Sequence, residues 1–160
     1  MIRSLLIGLV AGQRSMTPLA ATTLAAASGR LRLGHGLPAF LAKPLVAAGS
    51  VVLAAGELAG DKMASAPDRT ILPGLAARLI TGALAGAALA PAKDRMTAAT
   101  LGAFGAVVGG YAGLALRKQG MRRYGQMRSG LVEDILTLAA TALLFRPLLP
   151  GDRRFSPPQI

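Results

Sequence analysis

The sequence contains no cysteine, no tryptophan and a single histidine. Without cysteine, disulfides, thiolate metal sites and cysteine nucleophiles are excluded. With only His35, set in a basic stretch, the usual nucleophile–base arrangements are missing as well. Aromatic residues make up 4% of the chain, too few to interleave with cations and stack on bases. The net charge of +11 therefore does not point to nucleic acid. There is no phosphate loop or dinucleotide fingerprint, since GAFGAVVGG lies inside an apolar run with no strand before it. No cofactor and no enzymatic activity are expected.

What is abundant is small and apolar. Hydrophobic residues make up 52% of the 160, charged residues 16%, and the mean hydropathy is +0.50. The apolar fraction is mostly Ala, Leu and Val, with 20 glycines beside them. Such side chains suit helices that approach closely within a bilayer; a soluble core would want larger ones. Five apolar segments follow, over about 2–28, 44–63, 71–91, 97–117 and 129–148. The last four each match the thickness of a bilayer core. None alternates with a period of two, so the expected fold is all-α. It is a polytopic membrane bundle of about four to five spans in one domain, residues 1–150, with a polar tail over 151–160. The bilayer is the expected partner and the bacterial inner membrane the expected location.

The connections read as a basic loop over 29–43, tight turns over 64–70 and 92–96, and a strongly basic link over 118–128. For five spans, the loop cations divide evenly. Arg3, Lys62, Arg69, Arg117, Lys118, Arg122, Arg123 and Arg128 fall on one side. Arg30, Arg32, Lys43, Lys93, Arg95, Arg146, Arg153 and Arg154 fall on the other. The positive-inside rule gives no orientation. The first segment is broken by GQRSMTP (12–18) into halves of about 11 residues, so a re-entrant arrangement is the alternative to a fifth span. Gly82 and Gly86 form a GxxxG pair, and Gly102, Gly105, Gly109 and Gly113 line one side of the fourth segment. Close packing within the chain explains both rows; a homo-oligomer interface is the alternative.

Ionisable residues inside apolar segments are costly and are candidates for function. They are Arg14, Glu57, Asp61 with Lys62, Arg78, Glu133 and Asp134. Glu57 and Asp61 share a helix face. If the last four segments are simple spans, the end of the second and the start of the fifth lie on one side. Glu57, Asp61, Glu133 and Asp134 then converge at the level of Arg78, within reach of Arg14. In one reading Arg14 and Arg78 pair with Glu57, Asp61 or Glu133 and fix the helix register. In the other, the cluster binds a cation, relays protons or holds an anion, with a divalent metal as a further oxygen-ligated occupant. Lys62 and Arg69 have the K-x6-R spacing of lipid phosphatases, but the companion motifs and second histidine are absent.

Three stretches, GQRSMTPLA (12–20), GELAGDK (56–62) and PDRT (67–70), are followed by the small-residue segment GLAARLITGALAGAALA. Together they resemble the bacterial membrane family catalogued as domain of unknown function 4126, over about residues 5–148. The resemblance implies a small helical integral membrane protein and no particular activity.

The expected function is binding or transport of a small ion or polar solute. Pro18 would open a second half-helix whose amides favour an anion or carboxylate, with Arg14, Ser15 and Thr17 lining the break. Glu57, Asp61, Arg78, Glu133 and Asp134 would complete the site. The alternative is a non-catalytic accessory or assembly subunit of a larger membrane complex.

Overall fold

Among the described residues, each apolar run satisfies its backbone hydrogen bonds internally as a helix. The computed structural model describes residues 1–31, 37–60 and 72–146, and among these every regular element is helical. The helices are α1 (Ile2–Gln13), α2 (Met16–Ala27), α3 (Pro44–Gly60), α4 (Leu72–Ala88), α5 (Arg95–Tyr124) and α6 (Gln126–Phe145). Short 3₁₀ turns, Ala39–Ala42 and Ala92–Asp94, precede α3 and α5.

One boundary differs from the sequence reading. The basic link expected over 118–128 is mostly helix, because α5 continues to Tyr124 and α6 starts at Gln126. Arg, Lys, Gln and Met are good helix formers, so a polar composition alone does not end the helix. The turn is made at Gly125, whose φ of +80° lies in the region that glycine enters without penalty. The turn expected over 64–70 and the tail over 151–160 lie outside the described residues.

Small residues set the helix directions. Gly8 packs on Gly102, and Gly12 on Ala106 and Gly110, so α1 runs parallel to α5. Gly82 packs on Gly102 and Ala106, and Gly86 on Ala98, so α4 runs antiparallel to α5. A methyl group at Gly102 or Gly109 would collide with the backbone of Gly82 or Leu9. Both glycine rows are thus used for contact within the chain.

α2 does not continue α1. Its far end, Ala25 and Ala26, joins one apolar core with Ile7 of α1, Ala85 and Ala88 of α4, and Phe145 of α6. The first segment is therefore a hairpin: α1 climbs, the chain breaks at Arg14 and Ser15, and α2 returns. α3 then runs antiparallel to α2, with Thr23 bonded to Ser50 (2.6 Å) and Ser15 to Glu57.

The distribution of side chains is inverted relative to a water-soluble domain. Arg14 is completely buried, and Asp134, Arg78, Thr22 and Thr137 are nearly so. Leu45, Val52 and Leu143 are 83%, 69% and 66% exposed. α6 turns Gly130, Asp134, Thr137 and Thr141 inward and leaves Leu131, Ile135 and Leu138 outside. Buried hydroxyls return to their own helices, as with Thr22 to Pro18 O (2.8 Å) and Thr141 to Thr137 O (2.8 Å). Among the described residues one helix, over Ala92–Tyr124, is long and apolar enough to cross a membrane.

Candidate functional site

The break in the first segment is held by groups from α3 and α6. α1 stops at Gln13, and Arg14 is extended (φ −138°, ψ 104°), which turns its side chain away from the helix it follows. Its guanidinium donates to the Glu57 backbone carbonyl (3.2 Å) and forms a buried ion pair with Asp134. Asp134 faces inward because it lies on the Gly130–Thr137–Thr141 side of α6. Glu133, one position earlier, is rotated about 100° around the helix and pairs with Arg117 at 3.4 Å.

Glu57 serves the other side of the break. The first turn of a helix leaves backbone N–H groups without internal partners. Pro18, at the third position of α2, has no N–H and removes one of them. The Glu57 carboxylate takes two others: Oε1 accepts from Ser15 N (3.0 Å) and Oε2 from Met16 N (2.9 Å). Ser15 Oγ also donates to Oε1 at 3.0 Å. A negative charge is thereby placed at the positive end of a helix. The half-helix terminus that the sequence reading offered to an anion is filled by the chain's own carboxylate.

The structure therefore brings Arg14, Ser15, Glu57 and Asp134 together. Arg14 meets Asp134, rather than the carboxylates of Glu57 or Glu133. Thr17 is buried in the first turn of α2, and its hydroxyl has no hydrogen-bond partner among the described residues. Arg78 is buried in α4, one turn before Gly82. The antiparallel register places it near Gly109 and Gly110, the level at which Gly12 ends its packing on α5. Asp61, Lys62, Arg69 and His35 lie outside the described residues. Among the described residues no three acidic or histidine side chains gather around a metal position.

Arg95, counted in the sequence as a loop cation, is buried at the start of α5. The signal was present: 95, 98, 102, 105, 109 and 113 are spaced by three or four, so Arg95 stands on the glycine face.

Beside the clasp lies a groove of about 710 Å³ between α1, α5 and α6. Leu116 lines it on α5, Leu136 and Ala140 extend it along α6, and Tyr124 and Arg128 stand at one end. The Arg117–Glu133 pair and Gln13 are its polar groups toward the clasp.

No family model, curated protein or solved structure matches this chain. What the site can do follows from its own geometry. The Arg14–Asp134 pair and the Glu57-capped terminus are both closed. Because Arg14 touches both α3 and α6, a change at either acidic residue is felt by three separate elements.

Proposed function

We propose that this chain is a multi-pass protein of the bacterial inner membrane that binds and moves a small ion or polar solute at the Arg14 clasp. It has no catalytic role in this reading. α3, α4, α5 and α6 are the spans, and α1–α2 is a re-entrant hairpin. The inverted burial supports a lipid environment, since exposed Val52 and Leu143 and buried Arg14 and Asp134 are each unfavourable in water. α1 has 12 residues, about 18 Å, so its tip reaches roughly the middle of a 30 Å hydrocarbon layer. The level of Gly109 and Gly113 is also near the middle of the 30-residue α5. The resemblance to the membrane family named above fits this arrangement, with GQRSMTPLA at the hairpin tip and GELAGDK contributing Glu57.

The observation that carries the reading is the pairing of Arg14 with both α3 and α6 at the tip of a broken hairpin. Broken helices with charges at their exposed ends are how carriers build ion and solute sites near the midplane. Arrival of an anion at Arg14 would release the hairpin from one neighbour.

The test is flux through protein reconstituted in liposomes, comparing wild type with Glu57→Gln and Asp134→Asn across inorganic ions and protons. Flux in wild type that both variants abolish is the expected result. Equal background flux in all three, with the variants folded, would discard the transport reading.

An accessory subunit is the second reading, and one feature favours it. Gly49 and Gly56, seven residues apart on α3, have open space in front of them among the described residues. A partner helix approaching there meets little steric resistance. Isolation in mild detergent with a larger complex in fixed stoichiometry, and no flux, would support this role.

A further inference from the structure

We infer that the groove between α1, α5 and α6 is a binding site for an anionic phospholipid, with one acyl chain along the groove and the phosphate at its Arg128 end. The inference rests on the membrane reading but not on transport. The volume of about 710 Å³ is in the range of sites for small organic ligands, roughly 300–1,000 Å³. From Arg128 to Ala140 the groove follows α6 for about 18 Å, close to the depth of one leaflet's hydrocarbon. Along that length Leu116, Val132, Leu136 and Ala140 supply apolar walls.

Charge selects the headgroup. The stretch 117–128 carries Arg117, Lys118, Arg122, Arg123 and Arg128 and no acidic residue. Glu133, which lines the groove, is engaged by Arg117. Arg128 is exposed and lines the groove, so its guanidinium stands where a phosphate would enter. Tyr124, beside it, suits the interface between headgroups and chains. Basic pockets between helices at the membrane surface hold anionic headgroups by this arrangement.

Because the chain has no tryptophan, a single introduced one reports on its own surroundings. Leu136→Trp places the reporter in the groove, and Leu138→Trp places it on the other flank of α6. Each variant is reconstituted in mixed vesicles in which either phosphatidylglycerol or phosphatidylcholine carries brominated acyl chains. The expected result is quenching at Leu136→Trp that favours phosphatidylglycerol, and quenching without preference at Leu138→Trp. Adding Arg128→Gln lowers the preference at Leu136→Trp by roughly fivefold, the effect of one cation near a lipid headgroup. Quenching at Leu138→Trp with no preference at Leu136→Trp overturns the lipid site and leaves the membrane reading standing. No quenching at Leu136→Trp while Leu138→Trp is quenched means that protein covers the groove, which also overturns it. Absence of quenching at both positions overturns the membrane reading itself.

Discussion

Arg14 and Asp134 stand 120 residues apart in sequence and form a buried ion pair at the tip of the α1–α2 hairpin. Both charges have left solvent, and their mutual attraction offsets part of the desolvation each has undergone. The same guanidinium reaches the backbone of Glu57, and the Glu57 side chain in turn closes the start of α2. One arginine therefore joins the first helix to the third and the sixth.

Breaking that pair from one side takes this counterion away from the buried charge that remains. Arg14→Ala or Asp134→Asn is expected to destabilise the protein by about 3–5 kcal/mol. Unfolding in detergent, monitored by circular dichroism, measures this. The double variant Arg14→Met with Asp134→Leu should recover much of the loss, because it removes both charges of the pair together.

Glu57 acts through two carboxylate oxygens. Glu57→Gln keeps one acceptor and is expected to cost about 1.5–3 kcal/mol, the value of a charge-assisted hydrogen bond. Glu57→Ala loses both acceptors and should cost more. Hydrogen exchange should accelerate at the amides of Ser15 and Met16 in either variant, and leave Ala20 to Ala26 less affected.

Glycines that touch backbone differ from glycines that face open space. Gly102→Val would press against Gly82 and is expected to separate α4 from α5, at a cost above about 3 kcal/mol. Among the described residues a methyl group at Gly130 meets nothing within 4 Å, so Gly130→Ala should stabilise α6 by about 0.5–1 kcal/mol. Thermal unfolding of the two variants side by side checks the contrast.

Val52, 69% exposed on α3, separates a lipid surround from an aqueous one. If α3 faces lipid, Val52→Asp costs about 2.5–3.5 kcal/mol of insertion and lowers the membrane-bound fraction of expressed protein. An aqueous surround would leave stability within about 0.5 kcal/mol. Fractionation of expressing cells distinguishes the two.

Much of the helical layout was legible in sequence because it depends on local composition. Each apolar run became a helix, and the polar interruption at GQRSMTP became the break between α1 and α2. The α5–α6 boundary was not legible, since the basic residues after Arg117 favour helix as readily as loop, and only Gly125 turns the chain. The choice of Asp134 over Glu133 was written in the spacing of Gly130, Thr137 and Thr141, which marks the inward face of α6. Arg95 was hidden in the same way, on the face that Ala98 and Gly102 share.

By itself, the sequence determined that the chain is helical, where its apolar segments lie and which charges they contain. These properties follow from side-chain size, hydropathy and backbone hydrogen bonding within single segments. Only the tertiary structure decided that α2 turns back, that Glu57 fills the helix terminus and that Arg14 pairs with Asp134. The last two outcomes depend on contacts between residues more than 40 positions apart, where the register of one helix against another selects the partner.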